Sequence, residues 1–383
     1  MPRINPSLAH QLPNPMFRLA ALVHGRADIV HLEFGEPDFP TPDHIVRAAE
    51  DSLANERQGY GPGNGIPALR TAIAARVARV NHFAPAAEQV IVTAGGTGAL
   101  FAALLCTCVP GDEVLVPDPA WAGYDGMLAA VGARTVRFPL VAETGWQPDL
   151  DALEAAITPR ARVLLINSPS NPCGAVYPRE TMERLVDVAR RHDLWLLSDE
   201  CYDEIVFEGE HVSPATLDET GRVITVGTCS KAYAMTGWRV GWAASPAALV
   251  APMTIAVSAQ VNNLPLFIQR AAEAALTGPQ ACVSAMAAAY RERRDLAVAL
   301  LRQRGMREDA PAGAFYLLIR VGRAEDGFDG VAFAEALIRE RGIAVAPGAA
   351  FGQRTSGHVR VSLASSPESL RLGIEGLLDF AGL

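Results

Sequence analysis

The chain contains the stretch Thr228-Cys229-Ser230-Lys231-Ala232-Tyr233 just after an apolar run at residues 223–226. Of the 33 lysine and arginine residues in the sequence, Lys231 is the only lysine. A lysine amine can lose its proton in a suitable environment, whereas an arginine guanidinium effectively cannot. Because only a neutral amine attacks a carbonyl to form a Schiff base, the stretch predicts a reactive amine at the end of a strand. The alternative is an arginine-biased chain that kept one lysine by chance.

Short apolar runs alternate with helical patterns around this stretch, which predicts a largely parallel sheet with crossover helices. The runs are apolar throughout, as expected for strands that helices cover on both faces. The predicted strands are residues 89–93, 113–116, 135–138, 162–166, 194–198, 223–226 and 240–243, and the predicted helices between them are residues 99–108, 124–131, 150–157 and 179–191.

The pattern changes after residue 246. Two long helical patterns are followed by short strands and helices, at residues 265–276, 280–302, 315–319, 331–339, 343–346, 359–362 and 367–380. The sequence therefore predicts an α/β fold, whose large domain at residues 46–285 holds a mostly parallel seven-stranded sheet flanked by helices. The Pro-rich N-terminal segment is predicted to join the C-terminal part, so that residues 1–45 and 286–383 form a smaller α+β domain.

Composition and charge argue against several classes of partner. The net charge is −9 and the arginines are scattered rather than gathered in a stripe, which argues against nucleic acid. Apolar runs such as residues 163–166 fall far short of a membrane span, and Met1-Pro2-Arg3-Ile4-Asn5-Pro6 has no signal-peptide core. The six cysteines lack metal or redox spacing, so we expect reduced thiols in a cytoplasmic protein.

Ligands of open α/β sheets bind beyond the carboxyl ends of the strands, and the unusual polar residues of this chain lie there. Ala94-Gly95-Gly96-Thr97-Gly98 follows the first strand and opens a helix, so its free N–H groups predict a phosphate site at Gly96 and Thr97. The turn is not a dinucleotide fingerprint, because Phe101 occupies the third glycine position, and it has no Walker lysine. A simple glycine turn is the alternative.

Two further strands are followed by polar residues. Asn167-Ser168-Pro169-Ser170-Asn171-Pro172-Cys173-Gly174 is stiffened by proline and glycine and would present Asn171 in a fixed pose, although an ordinary turn is the alternative. Asp199-Glu200-Cys201-Tyr202 places a carboxylate at the end of a buried strand, where it requires a cationic partner. The alternative role for Asp199 is the N-cap of a following helix.

Two arginines complete the set of candidate site residues. Arg239 follows Lys231 by eight residues, in Gly237-Trp238-Arg239-Val240-Gly241. Arg360 lies within the otherwise apolar strand His358-Val359-Arg360-Val361-Ser362. A planar guanidinium in such a strand predicts a bound anion, and the alternative is an ion pair with a protein carboxylate.

A single ligand would satisfy all of these residues if it carried a phosphate, a carbonyl, a basic ring nitrogen and a phenolic oxygen. Pyridoxal phosphate has all four groups, and a lysine Schiff base with an aspartate at the pyridinium nitrogen is a known signature of its sites. The predicted partners are, in the same order, Gly96, Thr97, Ser230 and Arg239 for the phosphate, Lys231 for the carbonyl, Asp199 for the nitrogen, and Asn171 with Tyr202 for the oxygen.

The chain also resembles, over nearly its whole length, the class I and II aminotransferases, the fold-type I enzymes that depend on pyridoxal phosphate. The order and spacing of the matching segments carry the resemblance. These segments are Gly35-Glu36-Pro37-Asp38-Phe39-Pro40-Thr41-Pro42, Tyr60-Gly61-Pro62-Gly63-Asn64-Gly65, Gly95-Gly96-Thr97-Gly98, Asn171-Pro172-Cys173-Gly174, Asp199-Glu200-Cys201-Tyr202, Ser230-Lys231 through Arg239, and Val359-Arg360-Val361-Ser362. Cys173 stands where the family usually has threonine, and Gly98 where a longer side chain is common.

The resemblance implies roles at the cofactor. Lys231 would hold pyridoxal 5'-phosphate as a Schiff base and, once released, act as the general base. Asp199 would keep the ring nitrogen protonated, while Asn171 and Tyr202 would hydrogen-bond the ring hydroxyl oxygen. The residues implied at the phosphate are Gly96, Thr97, Thr228, Ser230 and Arg239.

The resemblance also implies roles beyond the cofactor ring. Trp121 would stack on the ring, Arg360 would bind the substrate α-carboxylate together with Asn171, and Gly35 would line the entrance. Tyr60 would reach the phosphate of the other subunit, which implies a homodimer. The implied activity is transfer of the amino group of an L-amino acid to a 2-oxo acid in ping-pong half-reactions.

Other functions share this fold. A carbon–sulfur β-lyase or a cyclopropane-forming synthase would use nearly the same residues, and its products would distinguish it. A ligand-sensing regulator is disfavoured, because Gly35 arrives too early for a preceding DNA-binding domain.

The substrate stays open at this stage. The segment Leu12-Pro13-Asn14-Pro15-Met16-Phe17 favours neutral or apolar amino acids, or broad specificity. A second cation, such as Arg18 or Arg26, would instead favour a dicarboxylic substrate.

Overall fold

The computed structural model describes residues 4–9, 14–306, 310–323 and 326–383. Its helices are α1 Pro6–Ala9, α2 Pro15–Val23, α3 Asp43–Asn55, α4 Pro67–Val80, α5 Gly95–Thr107, α6 Gly123–Val131, α7 Leu150–Ala155, α8 Arg179–Arg191, α9 Ala247–Val261, α10 Leu266–Thr277, α11 Ala281–Gln303, α12 Gly330–Arg341 and α13 Pro367–Ala381. Its strands are β1 Val30–His31, β2 Val90–Ala94, β3 Glu113–Asp118, β4 Arg134–Val141, β5 Gln147–Pro148, β6 Ala161–Asn167, β7 Trp195–Asp199, β8 Val223–Thr228, β9 Val240–Ala244, β10 Tyr316–Arg320, β11 Ile343–Ala344, β12 Ala346–Pro347 and β13 His358–Ser362.

The apolar runs in the middle of the chain form one large sheet with the order β2-β9-β8-β7-β6-β3-β4-β5. The pairings of β4, β3, β6, β7 and β8 are parallel, whereas β9 runs antiparallel to both β8 and β2. The prediction of a mostly parallel sheet is confirmed, but the strand count of seven was wrong. The two-residue strand β5 adds an eighth, antiparallel to β4 at the edge. A strand of two residues is too short to leave a hydrophobic pattern in the sequence.

Alternation along the central strands explains why both faces of this sheet are buried. Val163 and Leu165 of β6 pack into one apolar cluster with α5 and α6. Leu164 and Ile166 of the same strand pack into another cluster with α8. Successive side chains of a strand point to opposite faces, so an entirely apolar run requires helices on both sides.

Residues from both ends of the chain share a second core. It joins Leu19 and Val23 of α2 to apolar residues of α12, α13 and β13. Strand β1 pairs in parallel with β11, and β10, β13 and β12 form a separate antiparallel sheet. The predicted packing of the N-terminal segment with the C-terminal part is confirmed, whereas the domain limits at residues 45 and 285 stay a prediction.

Three helices of the large-sheet region, α3, α4 and α9, were absent from the sequence prediction. The elements that were predicted lie within a few residues of their observed bounds, except that the predicted strand at residues 343–346 is divided between β11 and β12, which belong to different sheets. All six cysteines are free thiols. Within the described ranges, the structure contains no helix that is both long enough and apolar enough to cross a membrane.

The strand directions place the functional residues together. Strands β2, β3, β6, β7 and β8 all point the same way, so their carboxyl ends lie along one edge of the sheet. Ligands of open α/β sheets bind at this edge.

Candidate active site

A cavity of about 390 Å³ opens at the carboxyl ends of the strands. Every predicted site residue except Tyr60 lines it. These residues are Gly35, Gly96, Thr97, Trp121, Asn171, Asp199, Tyr202, Thr228, Ser230, Lys231, Arg239 and Arg360. The Tyr60 side chain lies outside the cavity and is 91% exposed, so a contact with a site would require another subunit.

The N-terminus of α5 forms one wall of the cavity. Helix α5 begins at Gly95 without a side-chain cap, so its first N–H groups have no capping partner of that kind. A Cβ added at Gly96 would lie 2.9 Å from Cys201 Sγ, and one at Gly95 would lie 2.6 Å from Arg239 Nη2. Thr228 Oγ1 lies 2.9 Å from Ser230 Oγ in the same region. Free N–H groups beside hydroxyls and a guanidinium suit a phosphate, which favours the anion site over a simple turn.

Lys231 lies in the turn that follows β8, with its side chain reaching the opposite wall. Its Nζ donates a hydrogen bond to the Gly35 carbonyl oxygen at 2.7 Å. The same nitrogen lies 5.9 Å from the centroid of the Tyr202 ring. Within the described ranges, no carboxylate forms an ion pair with this amine. The amine is therefore available to a carbonyl ligand in the cavity.

Asp199, at the end of β7, is a buried carboxylate. Its Oδ2 accepts a hydrogen bond from the Tyr124 hydroxyl at 2.7 Å, and its Oδ1 accepts one from the Cys201 N–H at 3.2 Å. No salt bridge to Asp199 occurs in the part of the chain that the structure describes. Burial raises the pKa of this carboxyl above its ordinary value, against the hydrogen bonds that lower it. A cationic ligand atom beside Asp199 would offset that cost.

The alternative role of Asp199 as a helix N-cap is wrong. The residues after it form turns rather than a helix, and the next helix in this part of the chain is a short 3-10 turn that begins at Pro214. Asn167, at the end of the neighbouring strand, donates to the Asp199 backbone carbonyl at 2.9 Å and fixes the strand end.

Arg360 is buried in β13 and contacts oxygen atoms that carry no formal charge. Nη1 donates to Asn171 Oδ1 at 2.8 Å, and Nη2 donates to the Glu33 backbone carbonyl at 2.5 Å. The remaining Nε has no partner among the described residues. Burial lowers the pKa of Arg360, and no protein carboxylate pairs with it in those residues. The predicted anion site is therefore favoured over the ion-pair alternative.

Several cavity residues were missed by the sequence analysis. Tyr316 lines the cavity with its hydroxyl oxygen 2.8 Å from that of Tyr202, and Phe34 and Phe351 belong to the apolar wall. Tyr124 is not a lining residue, but its hydroxyl donates to Asp199. Position alone could have indicated Asn167, since it ends a central strand. The tyrosines left no such signal, because Tyr316 lies within an apolar predicted strand and Tyr124 is the first residue of a predicted helix.

The N-terminal segment is placed in part. Asn14 and Met16 line the cavity, in agreement with the predicted position near its mouth, whereas Leu12 and Pro13 lie outside the described residues. Arg18 pairs with Glu335 at 2.5 Å and Arg26 pairs with Asp28 at 2.6 Å. Neither arginine lines the cavity, so the suggestion that one of them meets a dicarboxylic substrate within the same subunit was wrong.

A second buried polar cluster lies next to the cavity, immediately after Asp199. Glu200 Oε2 accepts from Asn81 Nδ2 at 2.7 Å and contacts His211 Nε2 at 2.8 Å. Arg76 donates to both carboxylate oxygens of Asp203, at 2.5 and 2.6 Å. These charges neutralise one another, which is typical of a structural network.

The fold and the site together define an α/β enzyme whose cavity suits an anionic carbonyl cofactor. A family model described as "Aminotransferase class I and II" matches residues 27–377. The chain therefore belongs to the class I and II aminotransferases, enzymes that use pyridoxal 5'-phosphate and transfer the amino group of an amino acid to a 2-oxo acid.

Curated relatives and solved structures agree with this family. The chain is 42% identical to an arginine–pyruvate transaminase of Pseudomonas aeruginosa, over 93% of this chain and 90% of that protein. It is 41% identical to an aspartate/prephenate aminotransferase of Thermus thermophilus, over 91% and 90% of the two chains. A structure of the aspartate aminotransferase from Thermus thermophilus with maleate superposes with a TM-score of 0.93 at 38% identity, covering 99% of this chain and 100% of the other.

Proposed function

We propose that the cavity residues divide the binding of pyridoxal 5'-phosphate as follows. The N-terminus of α5 at Gly96 and Thr97, together with Thr228, Ser230 and Arg239, binds the phosphate. The support is the uncapped helix end, where a side chain at Gly96 would collide with Cys201. Trp121 covers one face of the ring, since its side chain lines the same cavity.

Asp199 and Asn171 bind the polar atoms of the ring. Asp199 holds a proton on the ring nitrogen, because a buried carboxylate without an ion-pair partner gains most from a cation beside it. The Asn171 Oδ1 atom already accepts from Arg360, so its amide N–H is the part that donates to the ring oxygen. Tyr202 lines the same wall and donates to that oxygen as well.

Lys231 carries the chemical step. When bound, the cofactor supplies a carbonyl carbon for amine exchange and a protonated ring that accepts electrons from the substrate α-carbon. Lys231 Nζ would act as the general base that takes the proton from the substrate α-carbon, from a position fixed beside the cofactor. The Gly35 carbonyl, which accepts from Nζ at 2.7 Å, positions the amine at the entrance.

Arg360 binds the substrate α-carboxylate, and we propose that the side chain of the substrate is neutral and apolar. Among the described residues of one subunit, the cations that line the cavity are Lys231, Arg239 and Arg360, and each has a role at the cofactor or at the α-carboxylate. The remaining walls include the side chains of Met16, Phe34 and Phe351. A distal carboxylate or guanidinium of the substrate would therefore be desolvated without a charged partner.

A panel of single amino acids tests this proposal. The visible absorbance of the holoenzyme should bleach with leucine, methionine and phenylalanine, and return on addition of pyruvate or 2-oxoglutarate. Aspartate and arginine should react with at least tenfold lower kcat/KM, a difference of about 1.4 kcal/mol. Aspartate reacting as well as leucine would contradict the substrate class and leave transamination intact.

Three controls separate the possible outcomes. Lys231→Ala should abolish turnover at ordinary buffer amine concentrations, and near-normal transamination by this variant would overturn the role of Lys231. Arg18→Gln should leave the amino-acid selectivity unchanged, because Arg18 is paired with Glu335. Accumulation of pyruvate and ammonia from a cystathionine-like substrate, with persistent visible absorbance, would identify a β-lyase.

We also propose a cytoplasmic homodimer in which Tyr60 of each subunit completes the site of the other. The support is the 91% exposure of Tyr60 and the exposed Ile255 of α9. The loop of Tyr60 packs on α9, since a Cβ added at Gly63 would lie 3.6 Å from the side chain of Thr254. Co-expression of the Tyr60→Phe and Lys231→Ala chains should restore activity, because each hybrid dimer would have one intact site. Sedimentation of the native protein as a monomer would contradict the assembly.

A further inference from the structure

Tyr316 lies at the start of β10, in the antiparallel sheet that also contains Arg360. Its side chain is 1% exposed and lines the cavity. The Arg360 guanidinium lies 4.3 Å from the centroid of the Tyr316 ring and 4.6 Å from that of Phe351. The guanidinium of Arg360 is therefore within cation–π distance of two aromatic rings.

The hydroxyl group of Tyr316 makes a second contact. Its oxygen lies 2.8 Å from the Tyr202 hydroxyl oxygen, and the two rings meet edge to face with centroids 5.7 Å apart. The hydroxyl occupies the space beside the Gly35 α-carbon, where any Cβ would overlap it. Gly35 in turn accepts the hydrogen bond from Lys231. The Tyr316 side chain thus contacts Arg360, Tyr202 and Gly35, and Gly35 is the residue whose carbonyl accepts from Lys231.

We propose that Tyr316 is a positioning residue with two separable roles. Its ring orients Arg360 for the substrate carboxylate, and its hydroxyl donates to the Tyr202 oxygen. Because a phenol has only one proton to donate, this arrangement directs the Tyr202 proton into the cavity, towards the cofactor ring oxygen. The inference rests on the roles of Arg360 and Tyr202 under the proposed function.

The ring of Tyr316 stabilises the Arg360 cation. This contact matters because the guanidinium has no carboxylate partner in the described residues. Two hydrogen bonds to neutral oxygens leave its Nε without a partner. The two aromatic rings attract the cation and restrict its orientation, while its Nε–H stays available to a planar acceptor. The substrate carboxylate is such an acceptor.

The hydroxyl of Tyr316 acts through a chain of hydrogen bonds: it donates to the Tyr202 oxygen, and the Tyr202 hydroxyl donates to the cofactor ring oxygen. A phenol that accepts a hydrogen bond donates its own proton more strongly, because hydrogen bonds in a chain polarise one another. The ring oxygen of the cofactor would then receive a stronger hydrogen bond and become less basic. This effect depends on the Tyr316 oxygen alone and not on its ring.

Two substitutions separate the roles. Tyr316→Phe removes only the hydroxyl, so binding of 4-methylpentanoate, a carboxylate without an amine, should stay within about twofold of the parent enzyme. The pH midpoint of the visible absorbance band should rise by about half a unit, because the ring oxygen becomes more basic. Tyr316→Leu removes the ring as well, so the same carboxylate should bind about tenfold more weakly.

Tyr290→Phe is the matched control. The Tyr290 hydroxyl is buried without a partner among the described residues, and the ring lies outside the cavity, next to Phe315. This variant should change neither the carboxylate affinity nor the absorbance midpoint. Tyr316→Phe would overturn the inference if it left the midpoint unchanged, or if it weakened carboxylate binding as much as Tyr316→Leu does.

Failure of the proposed function has a different signature. Arg360→Met and Tyr202→Phe in the same assays report whether those residues act at the carboxylate and at the ring oxygen. If neither variant changes its own readout, the assigned roles are wrong. If both do and the Tyr316 variants do not, Tyr316 is not the positioning residue.

Discussion

Arg76 and Arg360 are both buried arginines, but their surroundings are opposite. The Arg76 guanidinium bonds both carboxylate oxygens of Asp203 and also contacts Glu204 at 2.8 Å. Arg360 contacts an amide oxygen and a backbone carbonyl, and its Nε has no partner in the described structure. The protein neutralises the first charge with its own carboxylates and provides no carboxylate for the second among the described residues.

The neighbouring carboxylates repeat this contrast. Asp203 is as buried as Asp199, but the charge and hydrogen bonds of Arg76 outweigh the effect of burial and lower its pKa. Asp199 lies four residues earlier without an ion pair, and its pKa is raised. A buried charge that the fold does not compensate is therefore a guide to function, and a compensated one is a guide to stability.

Breaking the compensated pair should have the largest effect. Asp203→Ala leaves the Arg76 cation buried with a weaker set of partners, so the free energy of unfolding should fall by about 3–5 kcal/mol in denaturant titrations. Asp187→Ala is the control, because its ion pairs with Arg190 and Arg191 are on the surface, where solvent screens them, and their loss should be much smaller. Equal losses in the two variants would refute the contrast.

Breaking the uncompensated site should affect catalysis instead. Arg360→Met removes the proposed partner of the substrate α-carboxylate, so kcat/KM should fall by a factor of more than 100. This factor corresponds to about 3 kcal/mol of transition-state stabilisation. The free energy of unfolding should not fall, because a buried cation without a carboxylate partner has been removed. Unfolding measured beside steady-state kinetics tests both statements, and a destabilised variant would argue that Arg360 serves the fold.

A smaller effect is expected at Tyr124. Tyr124→Phe removes the hydrogen bond to Asp199 at 2.7 Å, so kcat/KM should fall about tenfold, which corresponds to roughly 1.5 kcal/mol for a bond to a charged group. The control is Tyr177→Phe, since the buried Tyr177 hydroxyl has no hydrogen-bond partner among the described residues. Unchanged kinetics for Tyr124→Phe would show that Asp199 does not need this contact.

The smallest effect concerns the pH dependence of stability. Burial disfavours a charged His211, but Glu200 and Asp203 outweigh burial and raise its pKa above the ordinary 6.5, against the charge of Arg76. Its stabilising contribution is therefore complete below about pH 6.5 and is lost as the pH rises through the folded-state pKa. Over that window the native protein should lose at most about 1.4 kcal/mol per pH unit relative to His211→Asn. Parallel pH profiles of the two proteins would contradict this.

The sequence was most informative where one residue and its position carried the signal. The sheet was predicted from uniformly apolar runs such as β6, and the cavity-lining residues Asn171 and Asp199 were indicated by polar stretches at or after the ends of strands. A lone lysine in an arginine-rich chain needed no structure to be noticed.

The rest depended on contacts between distant parts of the chain. Arg76 reads as an ordinary helix residue, and only the packing of Asp203, 127 residues away, makes it a buried charge. In the sequence, Tyr316 looks like an ordinary residue of an apolar strand. Its proposed role depends on the contact of its hydroxyl with Tyr202, 114 residues earlier. Helix α4 buries that same arginine on its inner face, which obscures the apolar periodicity that would have revealed it.

Because the chain has a single lysine, amine-directed reagents can label this enzyme with high selectivity. Every other basic side chain is a guanidinium or an imidazole. Reagents that couple to primary amines would therefore react with Lys231 and the N-terminal amine, and with no other side chain of this sequence. Reductive trapping of a carbonyl compound would thus label one internal peptide, and the yield of that peptide would count working sites. An amine-directed cross-linker, by contrast, would report almost nothing about assembly.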